Sequence, residues 1–274
     1  MHIAITGANG FIGNRLCHYL EQQGHEVQRW QRKAASGAVF YDLTSTKMPS
    51  LEGIEMLIHT AFEPFDSRHP QSFEHNVEAT RQLFRHCQNH RVKFVFLSSM
   101  SAHPEALSKY GKHKWLLQQE LGDAAVVIRP GLVIGEAGLF QRISNAVDRL
   151  PVQLLIAGGL QPLQVVAVQE LVAAIEKISL KADSGVYTVA NSKVYSMRDF
   201  ITQVGAWKGK KVRFFSVSYP VVFALLRVIE ALPFQVGITN ENLLGLKQLR
   251  AEPTASTLNL FNIKLSSLEE ILAR

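Results

Sequence analysis

Thr6-Gly7-Ala8-Asn9-Gly10-Phe11-Ile12-Gly13 is the stretch on which the reading of this chain turns. It follows the short apolar run 2–6 and opens the amphipathic run 11–23. Gly7 permits a tight turn, Gly10 lets the backbone approach a ligand, and Gly13 lets a helix pack closely on the sheet. The helix start then presents free N–H groups and a positive dipole end to an anion. A glycine turn between strand and helix therefore predicts a bound pyrophosphate. Gly7, Asn9, Gly10, Phe11, Ile12 and Gly13 are the candidate contacts. The bland alternative is a plain glycine-rich turn.

Outward from this loop, short apolar runs alternate with longer amphipathic ones. Strands are expected over 2–6, 26–30, 56–59, 92–98 and 125–129, and helices over 11–23, 70–90 and 108–121. Alternating strand and helix signals an α/β fold: a Rossmann doubly wound parallel sheet with helices on both faces. Phe94-Val95-Phe96-Leu97 is apolar without alternation, as a strand covered on both sides requires. After about Arg129 the rhythm changes. Helices are expected over 139–149, 169–180, 196–206, 220–232 and 266–273, with short strands over 163–168, 186–189 and 212–215. This predicts a dinucleotide-binding domain over 1–150 and a smaller substrate-binding α/β lobe over 151–274.

The end of the second strand selects the cofactor. A carboxylate there holds a ribose 2′-hydroxyl, whereas a cation accepts a 2′-phosphate. No acid stands between Glu26 and Asp42, and Arg29, Arg32 and Lys33 do. Arg32 or Arg29 can pair with a phosphate in a bidentate way. The expectation is NADP, with NAD as the alternative.

Tyr110 and Lys114 lie four apart and share a helix face. A phenol is a poor base at neutral pH, and a neighbouring ammonium favours the phenolate. Such a pair is common by chance on a surface helix; a preceding glycine loop and two further strand–helix units give it meaning. A hydroxyl from the preceding strand end completes the set. Ser99 is the choice there, with Ser101 and Ser98 as alternates whose plainer role is capping.

Composition narrows the classes. Of 274 residues, 29 are Lys or Arg and 23 Asp or Glu, a net charge of +6, and 47% are hydrophobic, which excludes long disorder as the main state. The two cysteines, Cys17 and Cys87, make neither a disulfide scaffold nor a zinc cluster. The ten histidines have no ligand spacing, so no metal is expected. The start has no basic head or long apolar run, so no signal peptide is read and a cytoplasmic location is the default. The most membrane-like stretch, 214–234, is interrupted by Arg227 and Glu230 and is too short to span. It reads as a buried or partly exposed helix, with membrane-surface contact as the alternative. The basic run 208–213 reads as a solvated loop, and nothing in the chain matches a nucleic-acid-binding motif.

Together these features resemble the extended, nucleotide-sugar epimerase/dehydratase-like branch of the short-chain dehydrogenase/reductase superfamily. Residues 6–13 resemble its T-G-x-x-G-x-x-G motif, and Tyr41-Asp42-Leu43 its G-D-L, whose Asp lies near the adenine. Ile58-His59-Thr60-Ala61 resembles its H-x-A-A segment, and His75-Asn76-Val77 its N-V segment. Ser98-Ser99, Tyr110 with Lys114, and Arg129-Pro130-Gly131 fall in the family's order, and 165–171 resembles its V-x-V-x-D-L-A segment, with Glu170 in the place of the Asp. The resemblance adds Asp42, Leu43, Thr60 and Ala61 to the cofactor contacts. It assigns Tyr110 as general acid or base, Lys114 to the ribose and to the phenol's pKa, and Ser99 to the substrate oxygen. It implies a small-molecule substrate, a nucleotide-sugar among the classes, and a homodimer through helices 70–90 and 108–121. Met100-Ser101 stands where dehydratases carry Asp-Glu, which argues against dehydration. The expectation is an oxidoreductase. An epimerase retaining NAD is the first alternative, and a non-catalytic dinucleotide-binding regulator the second.

Overall fold

The computed structural model describes residues 1–33, 36–64, 71–230 and 240–274. In chain order the first part is β1 (His2–Thr6), α1 (Phe11–Gln22), β2 (Glu26–Gln31), β3 (Ala38–Phe40), β4 (Met56–His59), α2 (Ser72–His90), β5 (Lys93–Leu97), α3 (Lys109–Leu121) and β6 (Val126–Pro130). There follow β7 (Leu132–Ile134), α4 (Gly138–Arg149), β8 (Val152–Ile156), β9 (Pro162–Leu163), β10 (Val165–Ala167), α5 (Val168–Lys181) and β11 (Gly185–Val189). The last are β12 (Tyr195–Ser196), α6 (Met197–Trp207), β13 (Arg213–Val217), α7 (Tyr219–Glu230), α8 (Asn240–Lys247), α9 (Ala255–Leu260) and α10 (Leu268–Leu272).

Seven parallel strands form one sheet in the order β11-β6-β5-β4-β1-β2-β3. Successive side chains point to opposite faces, so each strand feeds two cores. Ile3, Ile5, Ile58 and Ile128 pack with Leu16 and Leu20 of α1 and Ile175 of α5. Ala4, Leu57, Phe96 and Val127 pack with Leu83 of α2 and Leu117 of α3. The expected α/β sheet is thus observed. A third core joins Phe140 and Val147 of α4 to Leu155, Phe200 and Val204.

The C-terminal part departs from expectation. The run 186–189 is not a strand of the smaller lobe: β11 pairs in parallel with β6 and closes the large sheet. α5 belongs with that sheet too, because Tyr19 Oη and His25 Nε2 of the α1 segment reach Glu176 at 3.1 and 3.0 Å. The expected strand 163–168 is divided at Gln164, and its last residue already starts α5. β3, β7, β8, α8 and α9 carry no signal strong enough to be read from the sequence. The beginning of the expected helix 70–90 and the end of 220–232 lie outside the described residues. Among the described residues, no helix is long and apolar enough to cross a membrane.

Strand order reverses between β1 and β4. In open parallel sheets that switch point opens a crevice at the strands' C-terminal ends. The glycine loop leaves β1 there, and Thr60-Ala61 leaves β4 beside it.

Candidate active site

Gly7 has a left-handed φ of +69°. A Cβ added there would meet the Ala61 backbone at 2.8 Å, and one on Gly13 would fall on the Gly7 carbonyl and lie 2.8 Å from Thr60 Oγ1. Thr60 Oγ1 donates to the Thr6 carbonyl at 2.7 Å, and Ala61 N–H donates to Thr6 Oγ1 at 3.2 Å. Thr6, Gly7, Gly13, Thr60 and Ala61 therefore form one close-packed cradle. Phe11 lies against Gly135 and Gly138, and Ile12 packs on the first core, so each has only its N–H to offer a ligand. Asn9 is exposed at the loop tip. No acid occupies the first turn of α1 and no side chain caps it, which leaves the positive dipole end open to an anion.

His59 is a framework residue. Its ring lies between Thr6 Oγ1 at 2.7 Å and Thr80 Oγ1 at 3.0 Å, stacked on Phe94 and Phe96. Burial, with the Lys114 charge, pushes it down to about 3, so it is neutral at physiological pH. His113 is buried as well. It stacks on Phe62 and meets Phe73 edge-on, and neither ring nitrogen has a partner among the described residues.

The cations after β2 divide. Arg29 is bound to Glu21 through both Nε and Nη2, at 3.1 and 2.9 Å, so it is not free for a phosphate. The Arg32 side chain is 73% exposed, with only a loose approach of 3.9 Å to Asp42. Asp42 accepts from Thr44 N and Oγ1 at 2.8 and 2.5 Å. Burial alone would raise its carboxyl; the Thr44 bonds and the Arg32 charge outweigh that and lower it. Leu43 packs on the second core. The residues present fit a dinucleotide: a cradle without room for a Cβ and an uncapped helix start beside it.

Ser108 caps α3, accepting from Gly111 N at 3.1 Å. A Cβ on Gly111 would lie 2.5 Å from the Ser101 carbonyl, so glycine there lets α3 press onto the turn after β5. The sequence reading missed Gly111. Tyr110, the residue before it, stands on the helix turn that packs on this segment. Ser99 Oγ accepts from Ser101 N at 3.1 Å, while Ser98 Oγ is buried without a partner among the described residues. Lys114 is buried one turn along α3, and its Nζ donates to the Leu97 carbonyl at 2.8 Å. It lies 4.5 and 5.2 Å from the Phe96 and Phe62 ring centres. Burial brings its amine down to about 7. The expected depression of Tyr110 by this amine is not what is found. Burial pushes the phenol up, and the opposing pull is the Ser99 hydrogen bond.

Two residues escaped the sequence reading because they carry no local pattern. Phe62 packs edge-on against Tyr110, with ring centres 5.0 Å apart. Glu252 takes Arg129 from two sides, at 3.2 and 3.1 Å, while Arg129 also donates to the carbonyls of Ser99 and Ala102 at 3.4 and 2.9 Å. The pair ties the C-terminal segment to the turn that carries Ser99. Glu252→Gln strands a nearly buried guanidinium, so we expect a loss of about 3 kcal/mol, roughly 8 °C in Tm. Thermal unfolding checks this, and an unchanged Tm refutes it. Among the described residues no cluster of His, Cys, Asp or Glu could hold a metal ion. Cys17 and Cys87 are free and buried, their thiols raised by burial to about 11 and about 12.

A family model described as "NAD dependent epimerase/dehydratase family" matches residues 3–190. No curated protein matches the chain in sequence. Among solved structures it is similar to the human epimerase family protein SDR39U1 (isoform 2) with NADPH, at 20% identity over 100% of both chains and a TM-score of 0.77. It is similar also to MoeE5 in complex with UDP-glucose and NAD, at 18% identity over 100% of this chain and 96% of that one, TM-score 0.74. A third is UDP-N-acetylglucosamine 4-epimerase from Bacillus cereus, at 14% identity over 100% and 98% of the chains, TM-score 0.71. At these identities the likeness to the solved structures is one of fold.

Proposed function

The chain belongs to the NAD dependent epimerase/dehydratase family, and from that premise we propose an NAD(P)-dependent oxidoreductase of the extended short-chain type. It moves a hydride between the nicotinamide and a carbonyl or alcohol carbon, with a nucleotide-linked sugar as the proposed substrate class. The observation that carries this reading is the packing of α3, which carries Tyr110 and Lys114 one turn apart, on the turn that carries Ser99, with Lys114 Nζ on the Leu97 carbonyl at 2.8 Å.

When bound, the dinucleotide supplies the hydride donor or acceptor. The N–H groups opening α1 would hold its pyrophosphate at the Gly7–Gly13 cradle, Asp42 and Leu43 would serve the adenine end, and Arg32 would pair with a 2′-phosphate. Tyr110 gives or takes the substrate's hydroxyl proton at Oη. Ser99 Oγ holds the substrate oxygen. Lys114 holds the ribose, and in its charged form favours the phenolate. Phe62 keeps water from the phenol's edge. The substrate-recognising lobe is assigned to residues 151–274 without α5 and β11, which complete the large sheet.

The test is a fluorescence titration with NADPH and NADH. NADPH is expected to bind well above NADH. Preferred NADH, or NAD that co-purifies and resists dialysis, would favour an epimerase; binding of neither removes the reading. Arg32→Ala is expected to weaken NADPH by roughly 10- to 100-fold, the scale of one charge-assisted phosphate pair, and to leave NADH unchanged. Equal losses for both would show that Arg32 does not meet the 2′-phosphate.

A further inference from the structure

β8 and β13 form a two-stranded parallel sheet apart from the large one, with Val152 opposite Arg213 and Leu154 opposite Phe215. Its inner face is closed: Leu155 is buried in the third core and Phe214 packs against it. Its outer face is apolar and open, with Leu154 65% and Phe215 61% exposed. Leu150 and Val152 are exposed on the same strand segment. The chain passes from β13 through Ser218 into α7, whose twelve residues carry only Arg227 and Glu230 as charges and whose Val221 is exposed.

The flank of this face has one sign. Residues 147–151 and 210–212 line a surface cleft of about 360 Å³, and Lys208, bound to Asp148, and Arg213, opposite Val152, extend the same flank. They hold five cations, Arg149, Lys208, Lys210, Lys211 and Arg213, against one carboxylate, Asp148. Asp148 is taken by Lys208 and Lys210 at 2.5 and 3.1 Å. Arg149, Lys211 and Arg213 make no ion pair among the described residues. A second copy docked here by two-fold symmetry would bring these cations toward one another. An anionic bilayer complements both features: acyl chains for the leucine and phenylalanine side chains, headgroups for the cations.

We propose that the outer face of β8 and β13, with the start of α7, rests on an anionic membrane surface. The protein then sits at the bilayer surface as an interfacial rather than a spanning contact. This contact is independent of the oxidoreductase reading and survives its failure.

The test is co-sedimentation of the full chain with vesicles of phosphatidylcholine and phosphatidylglycerol mixed three to one, against pure phosphatidylcholine. Binding is expected to the mixed vesicles, weak or none to the neutral ones, and to fall in high salt. Lys211→Glu with Arg213→Glu is expected to weaken it at least about 25-fold, roughly fivefold for each cation removed. Leu154→Ser with Phe215→Ser is expected to abolish it with the cooperative thermal unfolding transition kept, which shows that the variant is folded. Absence of binding to the mixed vesicles, or equal binding to both kinds, overturns the proposal. So does a dimer that dissociates in the Leu154→Ser, Phe215→Ser variant.

Discussion

Tyr110→Phe is expected to slow hydride transfer by on the order of a thousandfold while holding NADPH affinity within about twofold, the middle of the range that one general acid–base group supplies. The two effects separate because the substitution removes one oxygen and little else. The ring stays edge-on to Phe62, 5.0 Å between centres, and α3 keeps its Ser108 cap. The glycine cradle and Arg32 are untouched. What is lost is the group at Ser99 that can exchange a proton. The measurement is single-turnover oxidation of NADPH, using the fastest substrate from a panel of nucleotide-linked keto sugars, beside a fluorescence titration of the same variant. An unchanged rate would remove Tyr110 from the chemistry, whereas no oxidation by the parent protein with any substrate of the panel would return the non-catalytic binding protein as the better reading. A large loss of NADPH affinity would make Tyr110 a binding residue.

The Tyr110 prediction rests on a pair that was legible because both residues sit on one helix, where a spacing of four fixes a shared face. The glycine loop was legible for a similar reason: strand, turn and helix are contiguous, and their glycines have local steric causes. Ser99 was legible as the end of a buried strand. Other parts depend on what the chain meets after folding. Glu252 lies 123 positions from Arg129, and nothing around it in sequence marks it as the counter-charge. Arg29 and Arg32 look equivalent in sequence; only the position of Glu21 on α1 takes one of them. β11 was assigned to the smaller lobe by its place in the chain, but a parallel strand pairs by docking, and its partner β6 lies before the lobe begins. The protonation of Lys114 was misjudged for the same kind of reason. Spacing placed it near Tyr110, but its burial against Phe96 and Phe62 could not be read from spacing.

That burial carries the second large effect. In an unfolded chain the lysine amine titrates near ~10.4. In the folded protein burial brings Lys114 down to about 7. Between those values the unfolded chain binds more protons, so stability rises with pH across this window, and below about 7 the cost of burying the ammonium is fully present. Lys114→Met removes that cost. Against the gain stands the Leu97 carbonyl, which loses the donor 2.8 Å away at about 1 kcal/mol. The apolar stem keeps its place beside Phe96. The balance at pH 7 favours the variant by about 3 kcal/mol, roughly 8 °C in Tm on the same scale. Transfer of hydride should fall to background in the same variant, because the ribose and the phenol lose their cation. Thermal unfolding of both proteins from pH 6 to pH 9.5 decides it: the gap in Tm should be widest at low pH and close as pH rises. A variant less stable throughout, or a gap that does not change with pH, would mean that Lys114 is held as a comfortable ammonium and that burial is not what tunes it. A stabilised protein without turnover would instead show that the fold tolerates a destabilising buried amine at the one place where the proposed chemistry uses it.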